Sequence, residues 1–377
     1  MGVIIVTLIT FYLNALLTFL TSEKKGYTEK KMLMLLLPLL PLAAHSLPLL
    51  VNESTICADK TQCNQQGTMK YESILPAQPG YQWDDAGGYC GSWAVQRATL
   101  TKGAWISQQQ VRDHTSPGGG HDNEILSTNI VEALTNLKIT FDGFDYNQTR
   151  PQQNAYASWL KKHLVSGNAV AWMILWSGQE YPIYDMTPPG GMYGHVEPVI
   201  GIQSNHPLTD TKVYDDDVVV HFTDGGTNTV HRVISTLGGK WNGPGTAADC
   251  TPFSYCMASY AFGWAVTGLN NDANANVMPV SLQVNPWKSE PDLRSGASSI
   301  ALKGTLTVNN LNKGDTYDIY RWDTVQDAFT YDSKFQKKSF VASNTTFVYE
   351  DDTSFESSGT TYYRCVATSS SSLSSVE

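Results

Sequence analysis

From residue 90 the apolar side chains fall at helical spacing. Cys90, Trp93, Ala94 and Ala98 stand at i, i+3, i+4 and i+8, which predicts a helix with one shared apolar face. Two later segments read as strands: GGMYGHVEPVIGI (190–202), where glycine and histidine lead into an apolar run, and VVVHFTDGGTN (218–228), an apolar run that ends on Asp224 and a Gly-Gly turn. After NNDANANVMP (270–279) the period changes to two. The runs VSLQV, IALKGTLTV, YDIYRW, KSFVA, TFVYE and TYYRCVA alternate polar with apolar residues and are separated by Asn, Gly, Asp and Ser clusters, which predicts an all-β sandwich. The fold class is therefore α+β, with a mixed domain over 47–270, a β sandwich over 275–368 and a Ser-rich disordered tail at 369–377.

The first 46 residues read as an export signal. Residues 2–20 form an uncharged apolar run close to the ~20 residues that span a bilayer. A second run, MLMLLLPLLPLAA, follows Lys30 and Lys31 and ends near Ala44 and Ser46, the layout of a cleavable secretory signal. Either Met32 or Met34 is the physiological start with cleavage after Ser46, or the first run is a signal-anchor. A membrane partner is expected only if that segment is retained. The sequons at Asn52, Asn147 and Asn344 fit the same compartment, the secretory pathway leading outside the cell or to a lysosome- or vacuole-like lumen.

Composition narrows the partners. Among 377 residues only 16% are charged, and 25 Lys+Arg against 35 Asp+Glu give a net charge of -10. With no basic cluster, nucleic acid is excluded as a partner, because phosphate binding is mainly electrostatic. An oxidising compartment lets disulfides persist. Cys57 with Cys63, and Cys250 with Cys256, are each six positions apart in polar loops and are expected to form short bridges. Cys90 and Cys365 remain. Cys365, in a sandwich strand, reads as a buried free thiol.

Cys90 follows a Gly-Gly turn and opens a helix. Helix-end dipoles and unpaired amides favour thiolate over thiol there, so Cys90 is a candidate nucleophile. As a purely structural residue it would be a core cysteine or the disulfide partner of Cys365. No phosphate-cradling loop or zinc-spaced Cys/His cluster is present, and no cofactor or metal is implied. Asp215-Asp216-Asp217 lacks the spaced oxygen ligands of a calcium loop and reads as a solvated hairpin end.

The run GGYCGSWAVQRATLTKGAWISQQQVRDHTSPGGGHDN resembles the papain-like cysteine peptidases. Their nucleophile helix opens with a Cys-Gly-Ser-Cys-Trp-Ala type motif and is followed by a Leu-Ser-Glu-Gln-Glu-Leu-Val-Asp type segment, here Ile106–Asp113. A single cysteine followed by glycine is similar to the bacteriocin-leader-processing, peptidase C39-like branch. Two registers are open: in one Cys90 is the nucleophile with Gln82 upstream, and in the other it matches the papain disulfide cysteine. GGMYGHVEPVIGI resembles the strand that presents the base, which implies His195. VVVHFTDGGTN matches the place of the orienting residue, which implies Asp224, with Asn228 and Asn242 as alternatives. His114, His121, His163, His206, His221 and His231 lie in less suitable contexts. The segment TTFVYEDDTSFESSGTTYYRCVAT resembles the end of a fibronectin type III module, with Tyr362 or Tyr363 as its corner tyrosine.

The resemblance implies a papain-like fold, with the nucleophile helix packed on an antiparallel sheet, and hydrolysis of a peptide or isopeptide bond in a peptide or protein substrate. His195 would take the Cys90 proton, Asp224 would orient the imidazole, and Gln82 with the Cys90 N–H would hold the oxyanion. Two other readings share these residues: a transglutaminase-like or phytochelatin-synthase-like acyltransferase with an amine acceptor, and an inactive secreted binding or cell-surface structural protein.

Overall fold

The computed structural model describes residues 69–83, 88–115, 129–144, 153–177, 192–210, 212–222, 229–234, 255–257, 263–270, 276–286 and 299–369. The export segment, Cys57, Cys63, Cys250, Asn52, Asn147, Asp224, Asn228, Asn242 and the Ser-rich tail lie outside the described residues, as does the side chain of Cys256. Among the described residues no helix is long and apolar enough to cross a membrane.

The first half is a mostly antiparallel sheet with helices on both faces. Its strands are β1 (Tyr71–Ile74), β3 (Ile139–Gly143), β4 (Val170–Ser177), β5 (Met192–Ser204), β6 (Val218–Phe222), β7 (Thr229–Val233), β8 (Tyr255–Met257) and β9 (Gly263–Leu269). They run in the order β3-β9-β4-β5-β6-β7, with β1 added to β5 and β8 to β4. Helix α1 (Cys90–Leu100) covers one face: Ala94, Val95 and Ala98 pack with Ala171, Met173 and Val196. Helix α3 (Ile130–Asn136) adds Ile130, Ala133 and Leu134 to that core, and helix α4 (Gln153–Val165) covers the other face, where Tyr156, Leu160 and Leu164, at i, i+4 and i+8, meet Val170, Trp172 and Val199. The period of two along β4 and β5 deals alternate residues to the two helices.

Helix α4 is also held by charge. Lys161 Nζ donates to Asp217 Oδ2 at 2.9 Å and to the Lys212 carbonyl at 2.6 Å, with both charged side chains fully buried. Asp217 is therefore a buried ion-pair partner rather than part of a solvated hairpin end. Asp216 does stay at the surface, against Asn205.

The C-terminal part, about a quarter of the chain, is a β sandwich. One sheet runs β10 (Val277–Met278), β17 (Thr360–Ser369), β13 (Thr316–Trp322), β14 (Gln336–Val341), and the other runs β11 (Val280–Asn285), β12 (Ala301–Val308), β15 (Phe347–Glu350), with β16 (Phe355–Glu356) added to β12. Alternation fills it, as along β12, where Leu302, Leu306 and Val308 are buried. Cys365 is buried and free, which excludes a Cys90–Cys365 bridge, and burial pushes its thiol up to about 12. Asn344 is exposed in the turn between β14 and β15.

The two halves share structure. Strand β2 (Ala104–Ile106), directly after α1, pairs with Thr360–Tyr362 of β17. Trp322, Val325, Ala328 and Tyr362 join the core around α1, while Leu100 and Trp105 join that of the sandwich. Residues Val51–Glu377 form one compact unit. The adjacent tyrosines divide accordingly: Tyr363 donates to Asp351 Oδ2 at 2.7 Å inside the sandwich, and Tyr362 donates to the Leu137 carbonyl at 3.0 Å in the first half.

Candidate functional site

Cys90 is the first residue of α1 and is half-buried, while all ten residues after it are buried. Tyr89 before it gives no side-chain cap, and the first turn carries no acid. The partial positive charge of the helix start is thus not offset by a neighbouring carboxylate of its own turn, which favours an anion there by about 0.3–1 kcal/mol. The Tyr89 ring is buried beneath the Arg112 guanidinium, 3.4 Å from its centroid. Arg112 belongs to helix α2 (Gln108–Asp113), formed by the segment that resembled the second papain motif and capped by Ser107, whose hydroxyl accepts from Gln110 N–H. A permanent cation is therefore fixed against the ring of the residue that precedes Cys90.

Gln82 is buried at 7% exposure in the segment that approaches α1. Side chains of the helices bind its neighbours. Gln108 Nε2 donates to the Tyr81 carbonyl at 2.8 Å, and Gln108 Oε1 accepts from Trp83 N–H at 3.0 Å. The Trp83 ring lies 6.1 Å from that of Tyr89.

His195 lies near the start of β5 and is buried. Its neighbour Val196 packs in the core beneath α1, so alternation puts the His195 ring on the opposite, α4 face, beside Ile174 across the strand pair. There it stands 3.8 Å from Glu197 Oε1, and Glu197 Oε2 lies 2.8 Å from His221 Nδ1. Arg232 Nε donates to His221 Nε2 at 3.1 Å. Burial above all depresses His195, with His221 adding to the fall and Glu197 opposing it, and the value drops to about 4. Strand β6 runs antiparallel toward the His195 end of β5 and stops at Phe222, two residues before Asp224.

The structure thus gathers Cys90, the Gln82 segment and Arg112 around the start of α1, and gathers His195, Glu197, His221 and Arg232 on the far sheet face. Glu197, Arg232 and Gln108 were not singled out by sequence reasoning, and His221 was weighed as a base and set aside. The signal for Glu197 was available, since HVEPV sets an acid two places from a histidine in an otherwise apolar strand. Among the described residues no group of three or more His, Cys, Asp or Glu could hold a metal ion.

No family model and no curated protein matches the chain. Among solved structures, it is similar to a clostridial cysteine protease, Cwp84, after propeptide cleavage, at 11% identity over 78% of this chain and 81% of that one, with a TM-score of 0.27. It is likewise similar to the cysteine protease and lectin-like domains of Cwp84 from Clostridium difficile, a surface layer associated protein, at 10% identity over 81% of this chain and 77% of that one, with a TM-score of 0.28. Likeness at these TM-scores carries no argument about fold or activity.

Proposed function

We propose that the protein is an exported thiol hydrolase of papain-like type that cleaves peptide or isopeptide bonds with Cys90 as nucleophile, its C-terminal part being a fibronectin type III-like sandwich. The observation that carries the proposal is the position of Cys90: the half-buried first residue of a helix whose first turn carries no acid, directly after Tyr89, whose ring lies under the buried Arg112 guanidinium. A thiol so placed ionises more readily than a free one. The thiolate adds to the substrate carbonyl, the Gln82 amide and Cys90 N–H stabilise the oxyanion, and the amine leaves with a proton from His195. Water then releases the acyl group with His195 as base, oriented by Asp224. For these steps the His195 ring has to reach the α1 side of the sheet, which rotation of the side chain does not achieve, because in the structure it faces Glu197 on the α4 side; the start of β5 would have to shift its register by one residue.

The test is hydrolysis of a mixed peptide library by the full chain from a secretory host, read by mass spectrometry, together with iodoacetamide labelling. Cys90 is expected to alkylate at neutral pH well before Cys365, and Cys90→Ala is expected to lower turnover at least about 1,000-fold. Cleavage that survives Cys90→Ala removes the proposal. Amide products formed with added amine would reassign the acceptor from water to an amine.

A second reading, a secreted protein that keeps the fold without catalysis, is favoured by one observation: His195 lies on the α4 face of the sheet, away from α1, with its basicity depressed to about 4. Absence of both cleavage and Cys90 alkylation in the folded wild type would establish it.

A further inference from the structure

The segment Gln78–Trp83 is a strap bound to the rest of the molecule by side chains, carbonyl after carbonyl. The Pro79 carbonyl accepts from Arg97 Nη1 at 3.1 Å, that of Gly80 from Trp93 Nε1 at 3.0 Å, and that of Tyr81 from Gln108 Nε2 at 2.8 Å. Gln108 Oε1 then takes the Trp83 N–H at 3.0 Å, so one carboxamide grips the backbone on both sides of Gln82. Gln108 Nε2 also reaches Gln96 Oε1 on α1 at 3.2 Å, tying this grip to the helix that starts at Cys90. Trp93, Arg97 and Gln108 are each fully buried, so the donor side of all three grips is shielded from bulk water. The far end of the strap is fixed by the sandwich: Gln78 Nε2 donates to the Val284 carbonyl at 2.8 Å and Gln78 Oε1 accepts from Val284 N–H at 2.9 Å.

We propose that Gln108 is a positioning residue that sets the Gln82 amide for oxyanion binding; this rests on the reading of Gln82 as oxyanion donor. An oxyanion donor helps only when its direction is set before the charge develops. A backbone gripped at residues 81 and 83 leaves residue 82 little freedom to drift, and displacements near 1 Å at such a site cost up to about 100-fold in rate. The doubly hydrogen-bonded carboxamide of Gln108 fits that purpose. Glutamate in its place keeps an acceptor for Trp83 N–H but has no donor for the Tyr81 carbonyl when ionised.

The experiment compares wild type, Gln82→Ala, Gln108→Ala, Gln108→Glu, Gln82→Ala with Gln108→Ala, and Lys161→Met as a variant destabilised away from the strap. Gln108→Ala is expected to lower kcat about 30- to 100-fold with KM within about 2-fold and the rate of Cys90 alkylation unchanged. Gln108→Glu is expected to fall between wild type and Gln108→Ala. Adding Gln108→Ala to Gln82→Ala should cost less than about 3-fold more, since the donor it positions is already gone. A full additive loss in the double variant overturns the inference alone, as does a loss no greater than that of Lys161→Met. An inactive wild type overturns the inference together with the reading it rests on.

Discussion

Arginine has no acceptor, so the bond from Arg232 Nε to His221 Nε2 puts the His221 ring proton on Nδ1, facing Glu197. The buried Glu197 carboxylate is thereby linked through one imidazole to a buried guanidinium, which reduces the cost of removing each charge from water. His195, third in the row, is held below its ordinary value of 6.5, at about 4. Between those two values the unfolded chain binds the proton and the folded chain does not, so folding stability is complete above about pH 6.5 and falls as the pH drops toward 4. Urea unfolding at pH 7 and pH 5 should show a larger drop in stability for wild type than for His195→Gln; equal drops would remove His195 as the source. Part of this was legible in the sequence. The Gly-His-apolar pattern locates His195 on a strand, but the face it occupies depends on which neighbour meets α1, and that is set by packing. His221 read as an alternating strand residue because its partners, Glu197 and Arg232, come from the strands on either side.

At the scale of elements, α1 is the hinge of the architecture. Its sheet-facing alanines let the helix sit close, and β2 leaves its end to become an edge partner of β17. The turn between them needs Gly103, at φ +80, where a Cβ would also meet Val280 Cγ2 at 2.5 Å. Trp105 in β2 is the anchor: fully buried, it donates Nε1–H to the Ser357 carbonyl at 3.1 Å and packs near Phe355. Trp105→Ala is expected to lower the free energy of unfolding by about 3–5 kcal/mol, measured by chemical denaturation; a change below 1 kcal/mol would mean that the β2 to β17 junction adds little. The sandwich strands and α1 were legible because each repeats its period over several residues. The role of β2 was not, because AWI is three residues long and its partner lies some 250 positions away.

At the scale of the whole molecule, the composition change near residue 275 marks a change of architecture, while Val51–Glu377 remain one compact unit. Arg364 Nη2 bonds the Asn270 carbonyl at 2.8 Å, and Gln78 reaches β11, so contacts cross the change from both sides. A chain ended at residue 275 would expose the apolar residues that now meet Trp322, Val325 and Tyr362. It is expected to aggregate or to lose its single cooperative unfolding transition, read by size-exclusion chromatography and thermal circular dichroism. A soluble, cooperatively folding product would show that the first half is self-sufficient.

The junction of β2 with β17 also sets an order of events during synthesis. Trp105 is made 252 residues before Ser357, whose carbonyl receives its indole hydrogen. At about 5–20 residues per second the ribosome needs roughly 10 to 50 s to cover that distance. For that interval the edge of β2, with Leu100 and Trp105 beside it, has no final covering, which makes the nascent chain a client for chaperones until β17 emerges.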